Sequence, residues 1–216
     1  MKKYFTIIIS ITLLFFSCKS EKSKLLDEID VTFKKYNNEN YINDSVLDYY
    51  KNIKIDCNNL DELLAKVHYD DQDIRKSDDG DMFALDSINQ VKVISILKNC
   101  SDLNKKKLNN NSYSTIFLVL QHSGDKDLMA YYYPKIKTFV DEKKLDKLQF
   151  SLYVDRFLGL NNQFQIFGTQ ILNGNLSKFE NLIEVESNRK SMGLNTISDY
   201  LKNGANRLEI SKKTNP

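Results

Sequence analysis

Residues 145–171 read LDKLQFSLYVDRFLGLNNQFQIFGTQI and contain both kinds of periodicity found in this chain. In the first half, Leu145, Leu148 and Leu152 recur at steps of three and four residues, which predicts a helix with one apolar face. In the second half, residues 163–171 alternate polar and apolar side chains, which predicts a strand or one arm of a hairpin. The fold is therefore expected to combine helices with a small β element.

The regions on either side of this stretch complete the fold prediction. Asn173-Gly174-Asn175 is a turn signal, so a partner strand is expected around residues 179–185 and a last helix near 196–202. Apolar residues at helical spacing predict the other helices, around residues 25–36, 60–67, 88–97, 114–120 and 128–140. We predict an α+β fold that is predominantly helical, with a small β-hairpin in the C-terminal third.

Two of these helices carry more specific expectations. Ile88, Val91, Ile94 and Leu97 form one stripe, which predicts the buried face of its helix. Asp125 stands where it can cap the helix that follows Gly124.

Composition limits the possible function classes. The chain has 216 residues, with 31 Lys+Arg against 29 Asp+Glu, and 41% of its residues are hydrophobic. This hydrophobic content is enough for a packed core. Seven glycines and two prolines are too few for an all-β sandwich. The net charge of +2 excludes a generally basic nucleic-acid binder.

The N-terminus has the pattern of an export signal. Lys2 and Lys3 precede a mainly apolar segment, residues 4–17, which is too short to span a bilayer comfortably and ends before Cys18. The segment resembles a bacterial lipobox, which implies cleavage before Cys18 and a lipid on its sulfur. A plain signal peptide followed by a chance cysteine is the alternative.

These features predict the organisation and location of the chain. Residues 1–17 are expected to be a lipoprotein signal peptide, residues 18–24 a tether and residues 25–216 a single helix-rich domain. The protein is then held by its lipid at the membrane of a bacterial cell envelope, and Lys19 after the cysteine favours the outer membrane. Loss of the two lysines brings the net charge from +2 to 0.

Two cysteines, Cys57 and Cys100, remain in the mature chain. An exported protein meets an oxidising compartment, so a disulfide between them is permitted. Sequence spacing does not show whether their sulfur atoms meet, and two separate thiols are the alternative.

Two acidic residues share a helix face with apolar ones. Asp155 follows Leu152 by three residues, and Asp71 lies on the stripe that predicts the helix at 60–67. A buried acid needs partners, and arginines lie close by at Arg75 and Arg156. Only four of the 31 basic residues are arginine, which indicates that arginine is kept where its planar fork of donors is needed. A buried network and a ligand site are both consistent with this pattern.

His122 follows an apolar helix and is preceded by Gln121. It is a candidate general base, with a partly buried structural histidine as the alternative. The sequence has no nucleophile elbow, phosphate-binding loop, dinucleotide fingerprint or H-E-x-x-H motif. Two histidines in unrelated segments do not predict a metal site, and no cofactor is expected.

The motifs in their order resemble an uncharacterised bacterial domain family. The hallmarks of that family are a D-Q-x-x-R helix, a Q-H turn, a D-R helix, a Q-x-Y-G-T-Q strand and a closing R-x-x-x-G-L. The matching segments here are Asp71-Gln72 with Arg75, Gln121-His122, Asp155-Arg156, residues 165–170 and Arg189 before Gly193-Leu194. Phe167 replaces the usual tyrosine, and Glu186 stands where aspartate is usual.

The resemblance covers about residues 60–202 and carries no established activity, but it implies that these polar residues form one recurrent set. The catalytic candidates are His122 and Asp155. The candidate ligand-binding residues are Asp71, Gln72, Arg75, Gln121, Arg156, Gln165, Thr169, Gln170 and Arg189. We expect an envelope lipoprotein that acts as a binding or interaction module for a protein or a small polar ligand. The alternative is a hydrolase-like or small-ligand site built from His122, Asp155, Arg156 and Gln170.

Overall fold

The computed structural model of the chain describes residues 20–40, 42, 44–74, 82–100, 103, 108–172 and 175–202. The helices are α1 (Glu21–Glu39), α2 (Asp44–Lys51), α3 (Leu60–Ile74), α4 (Met82–Asn99), α5 (Asn110–His122), α6 (Lys126–Asp141), α7 (Lys147–Leu160) and α8 (Leu182–Met192). Strands β1 (Ile171–Leu172) and β2 (Asn175–Leu176) form an antiparallel pair. Residues 197–202 are helical. The predicted α+β fold class, mainly helical with a small hairpin, is confirmed.

Helix α5 is the centre of the bundle. It packs against α3, α4, α6 and α7. Its buried residues lie on most of its circumference, as expected for a helix surrounded by others. They include Tyr113, Phe117 and Gln121, which is the next-to-last residue of the helix. Asp125 caps α6, as predicted, by accepting hydrogen bonds from the amides of Asp127 and Leu128.

Helix α1 joins the bundle through aromatic stacking. The ring of Phe33 stacks on Tyr133 of α6, with ring centroids 3.8 Å apart, and on Phe157 of α7, at 4.1 Å. The hydroxyl of Tyr133 donates to Asp30 at 2.6 Å. Helix α1 begins at Glu21, inside the segment that the sequence predicts to be a tether, because Ser20 caps it. Residues 1–19, with the predicted signal peptide and Cys18, lie outside the described residues.

Two helices differ from prediction. In α4 the fully buried residues include Asn89, Val93 and Ile96, whereas Ile88 is 51% exposed. The predicted stripe was wrong at Ile88 because apolar residues lie on all sides of this helix, so periodicity does not identify its buried face. Helix α2 was not predicted.

The strand prediction was wrong in extent. Only residues 171–172 and 175–176 pair, while residues 163–170 form an irregular loop. The expected partner strand at 179–185 does not form: residues 179–181 are irregular, and residues 182–185 are the start of α8. Within the described ranges, no helix is both long enough and apolar enough to cross a bilayer.

A disulfide joins Cys57, before α3, to Cys100, directly after α4. The Nδ2 of Asn99 donates to the carbonyls of Tyr50 and Ile53 at 3.1 and 2.9 Å. The end of α4 is thus joined to the end of α2 and the segment after it by one covalent bond and two hydrogen bonds.

Replacing both Cys57 and Cys100 by serine is expected to lower the free energy of unfolding. The bridge spans 43 residues, and closing a loop of that size is worth about 4 kcal/mol in the chain-entropy model. Urea unfolding of the variant and the parent measures the loss. The parent treated with a reductant should lose a similar amount, and equal stability of the oxidised and reduced parent would contradict this role.

Candidate functional site

The carboxylate of Asp155 on α7 organises the loop that follows the helix. Its Oδ1 accepts hydrogen bonds from the amides of Ile166 and Phe167, at 2.8 and 3.0 Å. Its Oδ2 accepts from the amide and the hydroxyl of Thr169, at 2.9 and 2.8 Å. Both oxygens are therefore used by the loop, and we assign Asp155 the role of shaping residues 163–170.

Asp155 is fully buried, and burial raises the pKa of its carboxyl above the ordinary value. The hydrogen bonds from Thr169, Ile166 and Phe167 act in the opposite direction, because they favour the charged form. These donors let the loop keep an acid in the core, where an unpaired carboxylate would be costly.

Two glutamines hold the loop to the hairpin. The Nε2 of Gln165 donates to the carbonyl of Ser177 at 2.7 Å, and its Oε1 accepts from the amide of Gln170 at 2.9 Å. The amide of Gln165 donates to the carbonyl of Lys178 at 3.0 Å. The Nε2 of Gln170 donates to the carbonyl of Leu152 at 3.3 Å. Gln165 is thus engaged in structural contacts, and Gln170 links the loop to α7.

Arg189 of α8 secures the loop from the other side. Its Nη1 donates to the carbonyl of Phe167 at 2.8 Å, and its Nε donates to the carbonyl of Asn195 at 2.5 Å. Its guanidinium lies 5.0 Å from the ring centre of Tyr200, whose hydroxyl donates to the carbonyl of Thr169. Burial lowers the pKa of Arg189, which is 1% exposed. Arg189 is therefore enclosed by the fold and does not face solvent.

Arg156 has a different environment from its neighbour Asp155. It is half-buried and lines a cleft of about 370 Å³ between α7 and the loop and hairpin. Its Nε is shielded from solvent and has no hydrogen-bond partner among the residues that the structure describes. The cleft is also lined by Gln163, Gln170, Ser177 and the exposed Lys178.

A second polar cluster joins the ends of α3 and α5. The Nδ1 of His122 lies 3.1 Å from the Oδ1 of Asp71, and the Nε2 of Gln72 donates to the Oδ2 of Asp71 at 2.8 Å. Asp71 is buried and the side chain of His122 is 18% exposed. One carboxylate oxygen of Asp86, on α4, lies within 4.8 Å of the ligand atoms of both.

The structure thus sorts the predicted residues into two groups. Asp71, Gln72 and His122 meet at one cluster, with Gln121 buried beside His122. The remaining described candidates surround the loop after α7: Asp155, Arg156, Gln165, Thr169, Gln170 and Arg189. His122 is paired with Asp71 and makes no hydrogen bond to Asp155. Arg75 lies outside the described residues.

Sequence reasoning missed Asp86, Asn89 and Lys178. Asp86, Asn89, Val93 and Ile96 follow each other at steps of three and four, so a stripe drawn through Val93 and Ile96 would have included the first two. Lys178 is one of many lysines, and no local pattern marks it.

Comparison with known proteins identifies one family for most of the chain. A family model described as "Family of unknown function (DUF6624)" matches residues 62–210, more than half of the chain. The chain belongs to this family. The DUF6624 region contains nearly all of α3 and the whole of α4 to α8, and therefore both polar clusters, whereas α1 and α2 precede it. No curated protein and no solved structure matches the chain.

Gly168→Ala is expected to destabilise the DUF6624 domain more than Gly124→Ala. Both glycines have positive φ, +65° and +63°, so each alanine costs about 1–2 kcal/mol of backbone strain. At Gly168 the new Cβ would also overlap Cδ1 of Ile197 and lie 3.1 Å from Cγ1 of Val185, whereas at Gly124 it meets open space. Urea unfolding of the two variants isolates the packing cost, and equal losses would contradict close packing at the loop.

Proposed function

We propose that this DUF6624 protein is a non-catalytic binding module that takes a small anionic ligand, with a carboxylate or phosphate group, in the cleft beside Arg156. The observation that carries this proposal is the Nε of Arg156, which is shielded from water and lacks a partner in the described part of the chain. An arginine fork is suited to two parallel hydrogen bonds with a carboxylate or phosphate.

The charges around the cleft support an anion. Arg156 and Lys178 are cations that line it, and both carboxylate oxygens of the acid in its lining, Asp155, are engaged by hydrogen bonds from its own loop. The carboxamides of Gln163 and Gln170 and the hydroxyl of Ser177 add neutral donors. A ligand with one acidic group and a polar body fits this lining better than an apolar ligand does.

The alternative, a hydrolase-like site, has one observation in its favour. A histidine oriented by a buried acid, as His122 is by Asp71, is the arrangement of a general base and its positioning residue. Among the described residues, however, no serine, threonine or cysteine makes a hydrogen bond to His122. Asp155, whose oxygens are both engaged, is not available to orient it. The binding module therefore has the better support.

Arg156→Met is expected to abolish ligand binding while leaving the fold intact, because Arg156 makes no structural hydrogen bond among the described residues. Isothermal titration calorimetry with inorganic phosphate and with succinate tests a phosphate ligand and a carboxylate ligand, respectively. We expect at least a tenfold loss of affinity for the anion that binds, corresponding to about 1.4 kcal/mol.

Lys190→Met is the matched control, since Lys190 is an exposed base on α8 outside this cleft and its loss should leave affinity unchanged. Arg156→Lys should recover only part of the binding, because lysine lacks the fork. Equal affinity of the parent and Arg156→Met for both anions, or no binding of either, would refute the anion proposal.

We propose further that residues 1–17 are a lipoprotein signal peptide, that Cys18 carries the lipid and that the module is held at the bacterial cell envelope. The supporting pattern is the lysine pair, the apolar segment and the cysteine that ends it. A single lipid-anchored domain, which begins with α1 at Glu21 rather than at residue 25, follows from this organisation.

Cys18→Ser is expected to prevent lipid attachment and cleavage. Labelling cells with a radioactive fatty acid should mark the parent and not the variant, which should migrate as the longer precursor. Separation of inner and outer membranes then locates the parent. If the two proteins label equally, or if neither labels, the anchor proposal is wrong.

A further inference from the structure

The cluster of Asp71, Asp86 and His122 brings together three helices that are distant in the sequence. Asp71 lies near the end of α3, Asp86 near the start of α4 and His122 at the end of α5. Each offers one ligand atom, and these atoms all lie within 4.8 Å of one another. Ligands of one cation lie about 3 Å apart when adjacent and about 4.2 Å when opposite, for bond lengths near 2.1 Å. The three atoms are therefore near enough to one another for a single cation to be placed among them.

The closest pair within the cluster has the spacing of adjacent ligands. The Nδ1 of His122 and the Oδ1 of Asp71 are 3.1 Å apart. A cation between them would replace the proton that they share when no metal is present. Gln72, which donates to the other oxygen of Asp71, would hold that carboxylate in place.

A second observation points to a ligand at the same place. Asn89 is 0% exposed, yet neither its amide oxygen nor its amide nitrogen has a hydrogen-bond partner in the described part of the molecule. A buried carboxamide without partners is costly, and an ion or a water molecule is the usual explanation.

The register of α4 directs Asn89 towards the cluster. Asp86, Asn89 and Lys92 are spaced by three residues, so they share one face of the helix. Asp86 reaches Asp71, and Lys92 pairs with the adjacent Asp70 at 3.9 Å. Asn89 lies between these two contacts and faces the same end of α3.

We propose that Asp71, Asp86 and His122, with the side-chain oxygen of Asn89, form a site for a divalent transition-metal ion. An imidazole nitrogen favours zinc over calcium and magnesium, which prefer sites made only of oxygen. This site does not involve Arg156 or its cleft, so it goes beyond the anion-binding function.

The test uses the full chain, purified in detergent, stripped with EDTA and titrated calorimetrically with zinc chloride. We expect one ion per chain with a dissociation constant in the micromolar range or below, and weaker binding of calcium. Asp86→Asn and His122→Gln should each weaken zinc binding at least tenfold. The bridged sulfurs of Cys57 and Cys100 do not compete for zinc.

Asp141→Asn is the matched control for Asp86→Asn, because Asp141 is an exposed acid at the end of α6 and is not one of the three grouped residues. Its affinity for zinc should equal that of the parent. Asn89→Leu should weaken zinc binding and also raise the melting temperature in EDTA, since it removes the unpaired amide. Circular dichroism shows which variants are folded.

The proposal is overturned by any of three results. The first is that the parent shows no saturable binding up to about 1 mM zinc. A dissociation constant above that concentration would be far weaker than the one expected for this site. The second is that the folded variants bind as tightly as the parent. The third is that Asp141→Asn weakens binding as much as Asp86→Asn. None of these results depends on the anion cleft.

Discussion

The four hydrogen bonds that Asp155 accepts are the constraint on which the C-terminal half of the molecule depends. Residues 163–170 have no sheet partner, yet buried amides must be paired. One carboxylate supplies acceptors for three of these amides and for the Thr169 hydroxyl. Arg189 satisfies the Phe167 carbonyl on the opposite side. An irregular loop is thereby fixed between α7 and α8, and with it one wall of the Arg156 cleft.

This constraint also explains where sequence reasoning succeeded and failed. A strand with the period-two pattern of residues 163–171 would bury its apolar side chains, but the polar Gln165 and Thr169 are 3% exposed whereas Phe164 is 47% exposed. The pattern could not show that the amides bond to a side chain rather than to a second strand. The conformation of the loop depends on the Asp155 contacts, which join residues 11 to 14 positions apart in the sequence.

The helices were easier to predict than the site. Stripes on α1, α3 and α6 identified these helices because each has one apolar face. Helix α4 is apolar on all sides, so the sequence did not reveal that Asp86 and Asn89 face inward. The scarcity of arginine identified Arg156 and Arg189 correctly as unusual positions, but their opposite roles depend on neighbours. Arg189 finds carbonyl acceptors within the fold, whereas the Nε of Arg156 has none among the described residues.

The cap at Ser20 has a consequence for how the protein would stand on a membrane. On the proposal that Cys18 carries the lipid, two residues separate that cysteine from the first residue of α1, and they span at most about 10 Å from Cys18 to Glu21. Phe33 fixes α1 to α6 and α7. The domain would therefore be held close to the membrane by a short tether, with the N-terminal end of α1 on the side nearest the lipid headgroups. Diffusion of a ligand to the cleft would then be governed by a constant orientation relative to the bilayer.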